Sequence, residues 1–374
     1  KVRASWAQVG NDLPIGITSP AQTITAGGVV NPIDYYFAED LKPEISTSIE
    51  IGTEWRFFNS RLDFDFTFYR TDTKNQLIRV NTTAEKRRFR WINAGKIRNT
   101  GIEITVGATP LMNDNFRWKT QFNFATNKNE IVSLGGTPNF QYASGNVSMP
   151  YKMMVVEGGS LGDIYGNVFV RDESGKILLE PATDKDGNKN KKAGLPQVTT
   201  DKAAKIGNFN PDWTLGWSNT LTYKGFSLYF LIDGDVISLT QAGLDYAGVS
   251  KVTGDARAAN RYMLEGQEIK NVQGFYQMVG DRGNGTTEFY RYDGTNIRLR
   301  ELSLGYSFPQ QMLEKTGFIK GVDLSLVARN LFFIYKDAPF DPDATMSVGN
   351  DNQGLDTYGM PSTRNIGFNI KLTF

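Results

Sequence analysis

The chain has 374 residues, 40% of them hydrophobic and 12% aromatic, with a formal net charge of +1. It contains neither cysteine nor histidine, which excludes disulfides, thiolate nucleophiles, imidazole bases and most zinc or haem sites. The nearly balanced charge does not give the excess of positive charge that is typical of nucleic-acid-binding proteins. Charged residues, Gly or Pro interrupt every apolar run, so none is long enough for a membrane-spanning helix. Composition therefore leaves two alternatives, a soluble all-β protein and a β-barrel that crosses a membrane.

A strand is predicted at the start of the chain, because apolar and polar residues already alternate in 2–6. The clearest strand signal covers 45–57, where Ile, Thr, Trp and Phe alternate with Ser, Glu, Gly and Arg. A turn at 58–60 leads into a second alternating run at 61–69, which predicts a hairpin. Further alternating runs lie at 102–106, 116–124, 215–223, 226–232, 302–308, 322–328 and 366–374. The sequence predicts about ten strands, each close to the ~9 to 11 residues that cross a bilayer at a tilt.

The predicted connections between strands alternate in length. The long ones cover 10–44, 74–94, 128–212, 234–295 and 334–361, and the short ones cover 58–60, 108–115, 224–225 and 309–320. This alternation is typical of outer-membrane barrels, which have long extracellular loops and short periplasmic turns. If the long connections are extracellular, the last strand runs toward the periplasm and Phe374 ends on the periplasmic side.

The two faces of the predicted strands differ chemically. Asp, Glu, Arg or Lys recur on one face, whereas the other is mainly Phe, Ile, Leu and Trp. A soluble β-sandwich would also alternate, with the aromatic residues forming its core. The pattern favours an all-β fold of another kind, a transmembrane antiparallel up-and-down β-barrel whose polar face borders a wet interior. The predicted polar lining consists of Asp63, Asp65, Glu103, Lys119, Asn123, Asn369 and Lys371. Because unpaired strand edges are unfavourable in hydrocarbon, further strands are expected to complete the barrel.

Several segments in chain order carry a family resemblance. They include Leu41-Lys42-Pro43-Glu44, Asn93-Ala94-Gly95-Lys96-Ile97-Arg98-Asn99-Thr100-Gly101, Ile206-Gly207-Asn208-Phe209-Asn210-Pro211-Asp212-Trp213 and Arg329-Asn330-Leu331-Phe332. Together they resemble the barrel of SusC/RagA-type TonB-dependent transporters. The resemblance implies that residues 1–374 are the carboxy-terminal part of an outer-membrane barrel of about 22 strands, with long extracellular loops and with the plug domain outside this chain.

The resemblance also implies a function, the import of oligosaccharides or oligopeptides. The implied partners are a SusD-like surface lipoprotein, the TonB complex through a segment not in this chain, the barrel-assembly machinery, and lipid and lipopolysaccharide. No nucleic acid, cofactor, metal or enzymatic activity is expected. An alternative is a SusC-like barrel that serves as a structural subunit of a larger outer-membrane complex, and a third interpretation is a soluble sugar-binding module. An upstream plug and TonB-contacting motif would favour import.

Four segments are candidates for other chemistry. Asp63 and Asp65 are spaced as paired carboxylates for glycoside hydrolysis, but their regular alternation favours a polar wall. Segment 184–190 alternates oxygen side chains as calcium loops do, although its Gly is misplaced and no bidentate Glu follows, so a solvated turn is favoured. Segment 86–91 mixes cations with aromatic residues, which favours a loop and leaves contact with lipid, sugar or nucleic acid open. Asp341-Pro342-Asp343 predicts a turn first and a ligand contact second.

The last residues combine alternation with a terminal aromatic side chain. Phe368, Ile370, Leu372 and Phe374 resemble the carboxy-terminal signal that the barrel-assembly machinery recognises. An ordinary closing strand is the alternative interpretation. The signal predicts that deleting Phe374 lowers insertion into the outer membrane.

Overall fold

The computed structural model describes residues 1–18, 23–24, 26, 28, 30–31, 35–37, 40–81, 89–136, 139–141, 151–236, 238–241, 262–281, 285–344, 355–356 and 360–374. Its principal element is one antiparallel path of long strands. They are β1 (Val2–Asn11), β2 (Glu44–Phe57), β3 (Leu62–Asn81), β4 (Phe89–Met112), β5 (Phe116–Ser133), β6 (Trp213–Tyr223), β7 (Phe226–Val236), β8 (Asn296–Ser307), β9 (Gly321–Lys336) and β10 (Asn365–Thr373). Each strand pairs with the next one in this order, which confirms the predicted up-and-down arrangement of about ten strands. Among the described residues β1 and β10 are the two edges of the path and do not pair with each other.

Smaller elements occupy the connections. The short strands are Thr23–Ile24, Val30–Asn31, Tyr35–Phe37, Phe140–Gln141, Tyr151–Val155, Asp163–Gly166, Ala204–Asn208, Ser238–Gln241, Tyr262–Leu264, Gln267–Ile269, Arg291–Asp293 and Leu355–Asp356. Two α-helices, α1 (Val272–Val279) and α2 (Gln310–Leu313), and two 3₁₀ turns, Thr287–Tyr290 and Glu314–Thr316, complete the described elements. None of the described helices has the length and apolar character needed to cross a bilayer.

Short turns close the strand pairs at one end of the sheet. All three residues at 58–60, between β2 and β3, have positive φ values between 53° and 62°. Lys224 and Gly225, between β6 and β7, have φ values of 44° and 89°, as a two-residue turn between twisted strands requires. These local conformations confirm the turns predicted at 58–60 and 224–225.

At the other end, β3, β4 and β5 run farther than the sequence predicts. They contain 20, 24 and 18 residues, so the predicted loop starts at 74 and 128 are wrong. Beyond Arg70 in β3, polar side chains stand on both faces, and the period-two apolar signal ends although the strand pairing continues to Asn81. About ten residues suffice to cross a bilayer, so strands of this length in a membrane barrel would extend beyond the bilayer on the side of the long loops.

The apolar rows of the ten strands are exposed along one face of the sheet. Trp6, Trp55 and Phe368 are 66%, 50% and 76% exposed. The rows continue from strand to strand, for example where Trp55 lies opposite Phe64. In a β-sandwich these side chains would be buried against a second sheet, so the soluble-sandwich alternative is wrong.

The buried core of the described residues lies among the long connections instead. One cluster joins the β5–β6 connection to the β7–β8 connection and contains Phe169, Ile177, Leu195, Leu264, Ile269, Phe275, Val279 and Tyr290. A second contains Tyr151, Met153, Ile164, Ile206 and Phe209. In a third, Leu134 and Val155 of the β5–β6 connection pack on Ile97 and Ile131, which lie on the polar side of β4 and β5. The connection therefore folds back over the polar face at its outer end.

Candidate functional site

The register of the sheet places all seven predicted lining residues on one face, which we call the polar face. Residues directly opposite each other in an antiparallel pair project to the same side, so the pairing traces the face from strand to strand. The decisive pairs are Asp63 with Gly107, Asp65 with Thr105, Thr67 with Glu103, Thr105 with Asn123, Lys119 with Thr220, Ser325 with Asn369 and Asp323 with Lys371. The exposed apolar rows lie on the opposite face.

An ion pair spans three strands of the polar face near the short turns. Arg3 of β1 donates from Nη1 and Nη2 to Asp65 of β3, at 2.9 and 2.8 Å, and from Nη2 to Oγ1 of Thr67 at 2.5 Å. The guanidinium passes over Gly52 of the intervening strand, where a Cβ would lie 2.7 Å from its Cζ. A carboxylate with both oxygens engaged in this way is a wall element and not one member of a free carboxylate pair, so the polar-wall interpretation of Asp65 is favoured over glycoside chemistry.

A row of amides lies on the outer part of the polar face. Asn127 and Asn129 of β5 both donate from Nδ2 to Oδ1 of Asn99 on β4, at 3.2 and 3.0 Å. Tyr69 of β3 donates from Oη to Asn127 at 3.3 Å. Sequence reasoning gave Asn99, Asn127 and Asn129 no role, because polar side chains on both faces leave no apolar period at the outer ends of β4 and β5.

The amide row leads into an open polar pocket beside the β5–β6 connection. The pocket has a volume of about 360 Å³ and lies at the outer end of β5, where residues from both faces of the strand line it. Its lining includes Asn127 and Asn129 from the polar face, Lys128 and Glu130 from the other face, and Ser160, Lys205, Asn208 and Asn210 from the connection. Its floor is ordered by Asp163, which is 1% exposed and accepts from Asn208 Nδ2 at 2.6 Å and pairs with Lys205 Nζ at 2.7 Å. Side-chain amides both donate and accept hydrogen bonds, so the rim of this pocket suits sugar hydroxyls and peptide groups alike.

A buried arginine fastens the β9–β10 connection to the sheet. Arg298 of β8 is 1% exposed, donates to Asp341 at 2.8 Å and to Asp343 at 2.9 Å, and lies over the ring of Phe333 at 3.8 Å. Burial alone would raise the pKa of Asp341, but hydrogen bonds from the hydroxyl and N–H of Ser362, the N–H of Asp343 and the charge of Arg298 hold that pKa below its usual value.

The same network includes a second arginine on β8. Arg300 pairs with Asp233 of β7 at 2.6 Å and with Asp343 at 2.8 Å. The Asp341-Pro342-Asp343 element is thus a turn, as predicted, and its carboxylates bind arginines of the sheet. Sequence reasoning gave these arginines no role, because their partners lie between 43 and 67 residues away in the chain, beyond the reach of any local pattern.

Another ion cluster joins the two large connections. Arg171 donates to Glu265 at 2.5 and 2.8 Å and to Glu288 at 2.8 Å. The hydrogen bonds with Glu265 and Glu288 raise the pKa of Arg171, and the bond from Arg171 lowers the pKa of Glu265. The connections are therefore held together by charge as well as by their apolar cluster.

Segment 184–190, the candidate calcium loop, is a turn. Asp184 accepts at Oδ1 from the N–H groups of Asp186 and Asn188, at 3.0 and 2.8 Å, so segment 184–190 forms a tight turn. Within the described ranges, no group of three or more acidic side chains is arranged to hold a metal ion.

Residues 86–88 lie outside the described residues, whereas 89–91 begin β4 and pair with the short strand Tyr35–Phe37, so the loop prediction is wrong for these three.

The terminal strand presents its aromatic and aliphatic row to the apolar face. Phe368, Ile370 and Leu372 pair with Leu326, Leu324 and Val322 of β9. The ring of Phe374 stacks on Phe318 at 6.2 Å, and its carbonyl oxygen accepts from Lys320 Nζ at 3.1 Å. The role of these residues as an assembly signal stays a prediction.

Comparison with known proteins gives the family. The TonB dependent receptor-like, beta-barrel family matches residues 1–331. The chain belongs to this family. It is 28% identical to TonB-dependent receptor P3 of Formosa agariphila over 406 residues, covering 100% of this chain and 39% of that protein. It is 24% identical to TonB-dependent receptor SusC of Bacteroides thetaiotaomicron over 324 residues, covering 83% of this chain and 31% of that protein.

The fold of this TonB-dependent receptor barrel is shared with a solved importer structure. The RagAB peptide importer in its closed-closed state matches with a TM-score of 0.73 at 20% identity, covering 100% of this chain and 40% of that one. The chain thus spans about two fifths of the length of its relatives. These matches confirm the predicted resemblance to SusC/RagA-type proteins and the location in the outer membrane.

Proposed function

We propose that this chain forms part of the wall of a TonB-dependent importer for oligosaccharides or oligopeptides, working with a SusD-like surface lipoprotein. The observation that carries the proposal is the segregation of the sheet into two continuous faces. Exposed apolar rows on one face suit acyl chains, and the charged and amide side chains of the other suit a hydrated interior. In the completed barrel, Asp63, Glu103 and Lys119 would line that interior.

In the completed barrel, the β5–β6 connection and the amide row would form a polar entrance to the interior. The β5–β6 connection packs on Ile97 and Ile131 of the polar side, and the amide row at Asn99, Asn127 and Asn129 lies directly below it. A substrate entering from outside would meet the amide row, which borders the pocket, before the charged lower wall. Its donors and acceptors recognise peptide groups and sugar hydroxyls equally, so the chemistry of the pocket favours neither substrate class over the other.

No covalent step is assigned to the wall. Asp65 is engaged with Arg3, and the described acidic side chains of the outer network bind arginines. Peptide transport by RagAB supports import as the function of this fold. We therefore propose that the receptor moves its substrate unchanged and that TonB supplies the energy.

The test uses the full-length receptor in its own bacterium. Uptake of labelled oligopeptide and oligosaccharide pools is measured in the wild type, in a receptor deletion and in a strain without TonB. We expect both deletions to abolish uptake of one pool. Asn127→Leu, which fills the pocket rim, is expected to reduce that uptake several-fold, whereas Asn115→Leu in the exposed turn before β5 is the matched control.

Unchanged uptake of both pools in the receptor deletion would contradict import. If the deletion instead dissociated a larger outer-membrane complex, the receptor would be a structural subunit.

A further inference from the structure

A compact charged cluster interrupts the apolar face at the outer end of β3 and β4. Asp72 accepts at Oδ1 from Arg98 Nε at 2.8 Å, and its Oδ2 lies 3.1 Å from Arg70 Nη2 and 3.2 Å from Lys96 Nζ. One carboxylate thus gathers three cations. We call Arg70, Asp72, Lys96 and Arg98 the outer basic cluster.

The register shows that this cluster projects toward the membrane side and not into the polar interior. Arg70 lies opposite Ile49 of β2, and Asp72 lies opposite Arg98 of β4. Both follow the even-numbered row of β3 that contains Phe66 and Phe68. The cluster is therefore a continuation of the lipid-facing row.

Its position along the strand matches the boundary of the hydrocarbon layer. Arg70 and Asp72 come eight and ten residues after Leu62, where β3 leaves the short turn. At about 3.3 Å per residue and a tilt near 40°, that distance is roughly 20 to 25 Å along the membrane normal, the height of the apolar band of a barrel. The long loops leave from this end, so the cluster lies at the level of the outer-leaflet headgroups.

The change from apolar to charged residues at this height is local to one side of the barrel. In β9, Phe332 comes ten residues after Val322 and is 52% exposed, as is Ile334. The lipid-facing row of β9 is therefore still apolar where that of β3 is charged. A general end of the membrane-facing band would have affected both strands alike.

The charges around the cluster are unbalanced. Lys74, which lies opposite Lys96, and Lys128 of β5 add two cations on the same face. Glu130, opposite Arg98, adds one carboxylate and approaches Lys128 at 3.8 Å. Five cations thus face two carboxylates. The side chains of Arg70, Lys96 and Arg98 are 43%, 28% and 24% exposed, so they are accessible while Asp72 orients them.

We propose that Arg70, Lys96 and Arg98 bind the phosphate of a phosphorylated glycolipid in the outer leaflet. Guanidinium groups bind phosphate oxygens in pairs, and an ammonium adds a point charge. The acyl chains of the same lipid would lie along Phe66 and Phe68 below. This inference rests on the outer-membrane location of the barrel and is independent of what the receptor transports.

The test uses the full-length receptor, purified in detergent and incubated with lipid A that carries phosphate or with the same lipid A after dephosphorylation. Bound lipid per receptor is measured by native mass spectrometry. We expect retention of the phosphorylated form only. The triple variant R70Q/K96Q/R98Q is expected to retain at least about ten-fold less, since each cation near an anionic headgroup contributes to binding.

The matched control is K185Q/K189Q/K191Q, which removes three exposed lysines from an extracellular turn and is expected to bind like the wild type. Should the triple variant fail to insert, the single variant K96Q, expected to lose about three-fold or more, decides in its place. Equal retention by the wild type and the cluster variants, or of both lipid forms, would overturn the proposal. So would complete displacement of the lipid by inorganic phosphate, which would identify a free-phosphate site.

Discussion

Arg3 and Asp65 lie on strands that are not paired with each other, yet they form a bidentate ion pair across the strand between them, at 2.8 and 2.9 Å. The pair is possible because residue 52 of that intervening strand is glycine, which leaves room for the guanidinium. It ties the first strand of this chain to the third. The relationship makes the stability of the β1 edge depend on a residue that has no side chain.

The first prediction concerns the space that Gly52 leaves for the guanidinium of Arg3. Gly52→Ala is expected to displace Arg3 and to lower the temperature at which the barrel unfolds by as much as Arg3→Gln does. Because both changes remove the same contact, the double variant should be no less stable than Arg3→Gln alone. Heat-modifiable migration on gels measures the unfolding temperature. Gly216→Ala is the control, since a Cβ there meets its nearest atom at 4.0 Å; additive losses in the double variant would contradict the shared mechanism.

The second prediction concerns the buried arginine of the outer network. Arg298→Gln leaves Asp341 and Asp343 without their central partner and is expected to cost on the order of 3 kcal/mol of local stability. Protease cleavage within the β9–β10 connection should then accelerate. Arg329→Gln is the control, because its ion pair with Glu301 is solvent-exposed and such pairs contribute about 1 kcal/mol or less. Equal cleavage rates in the two variants would count against a fastening role for Arg298.

The third prediction concerns pH. Because Arg171 lowers the pKa of Glu265 in the folded protein, the bond contributes stability above the ordinary carboxylate pKa, and this contribution is lost as the pH falls through the lowered value. Hydrogen exchange in 262–281 and 285–290 is therefore expected to accelerate below about pH 4. Glu265→Gln should show faster exchange at neutral pH and a smaller change on acidification. An identical pH profile in this variant would show that other groups cause the loosening.

The fourth prediction concerns assembly. Deleting Phe374 is expected to lower the amount of receptor in the outer membrane, because the terminal aromatic residue is part of the proposed recognition signal. Surface abundance is measured by labelling intact cells. Phe318→Ala separates the signal from simple packing, since Phe374 stacks on this ring. If the alanine variant lost as much surface protein as the deletion, the stack would explain the effect and the signal would not.

Most of the sheet was accessible to prediction because a strand's side-chain period is a local property. Alternation at 45–57 and 366–374 gave the faces of β2 and β10 without knowledge of any partner. The same rule placed Asp63 and Lys371 on one side, although the strands that carry them are far apart in the chain. The outer halves of β3 to β5 escaped prediction, since polar side chains on both faces leave no period to detect.

What the sequence by itself determined is thus the strand order, the two faces and the end at which the loops lie. The tertiary structure alone decided which charges meet: Arg3 with Asp65, Arg298 with Asp341, and Asp72 with its three cations. The physical reason is that a face depends on backbone geometry within one strand. An ion pair depends on the register between strands and on the path of a long loop, and neither is encoded in a local repeat.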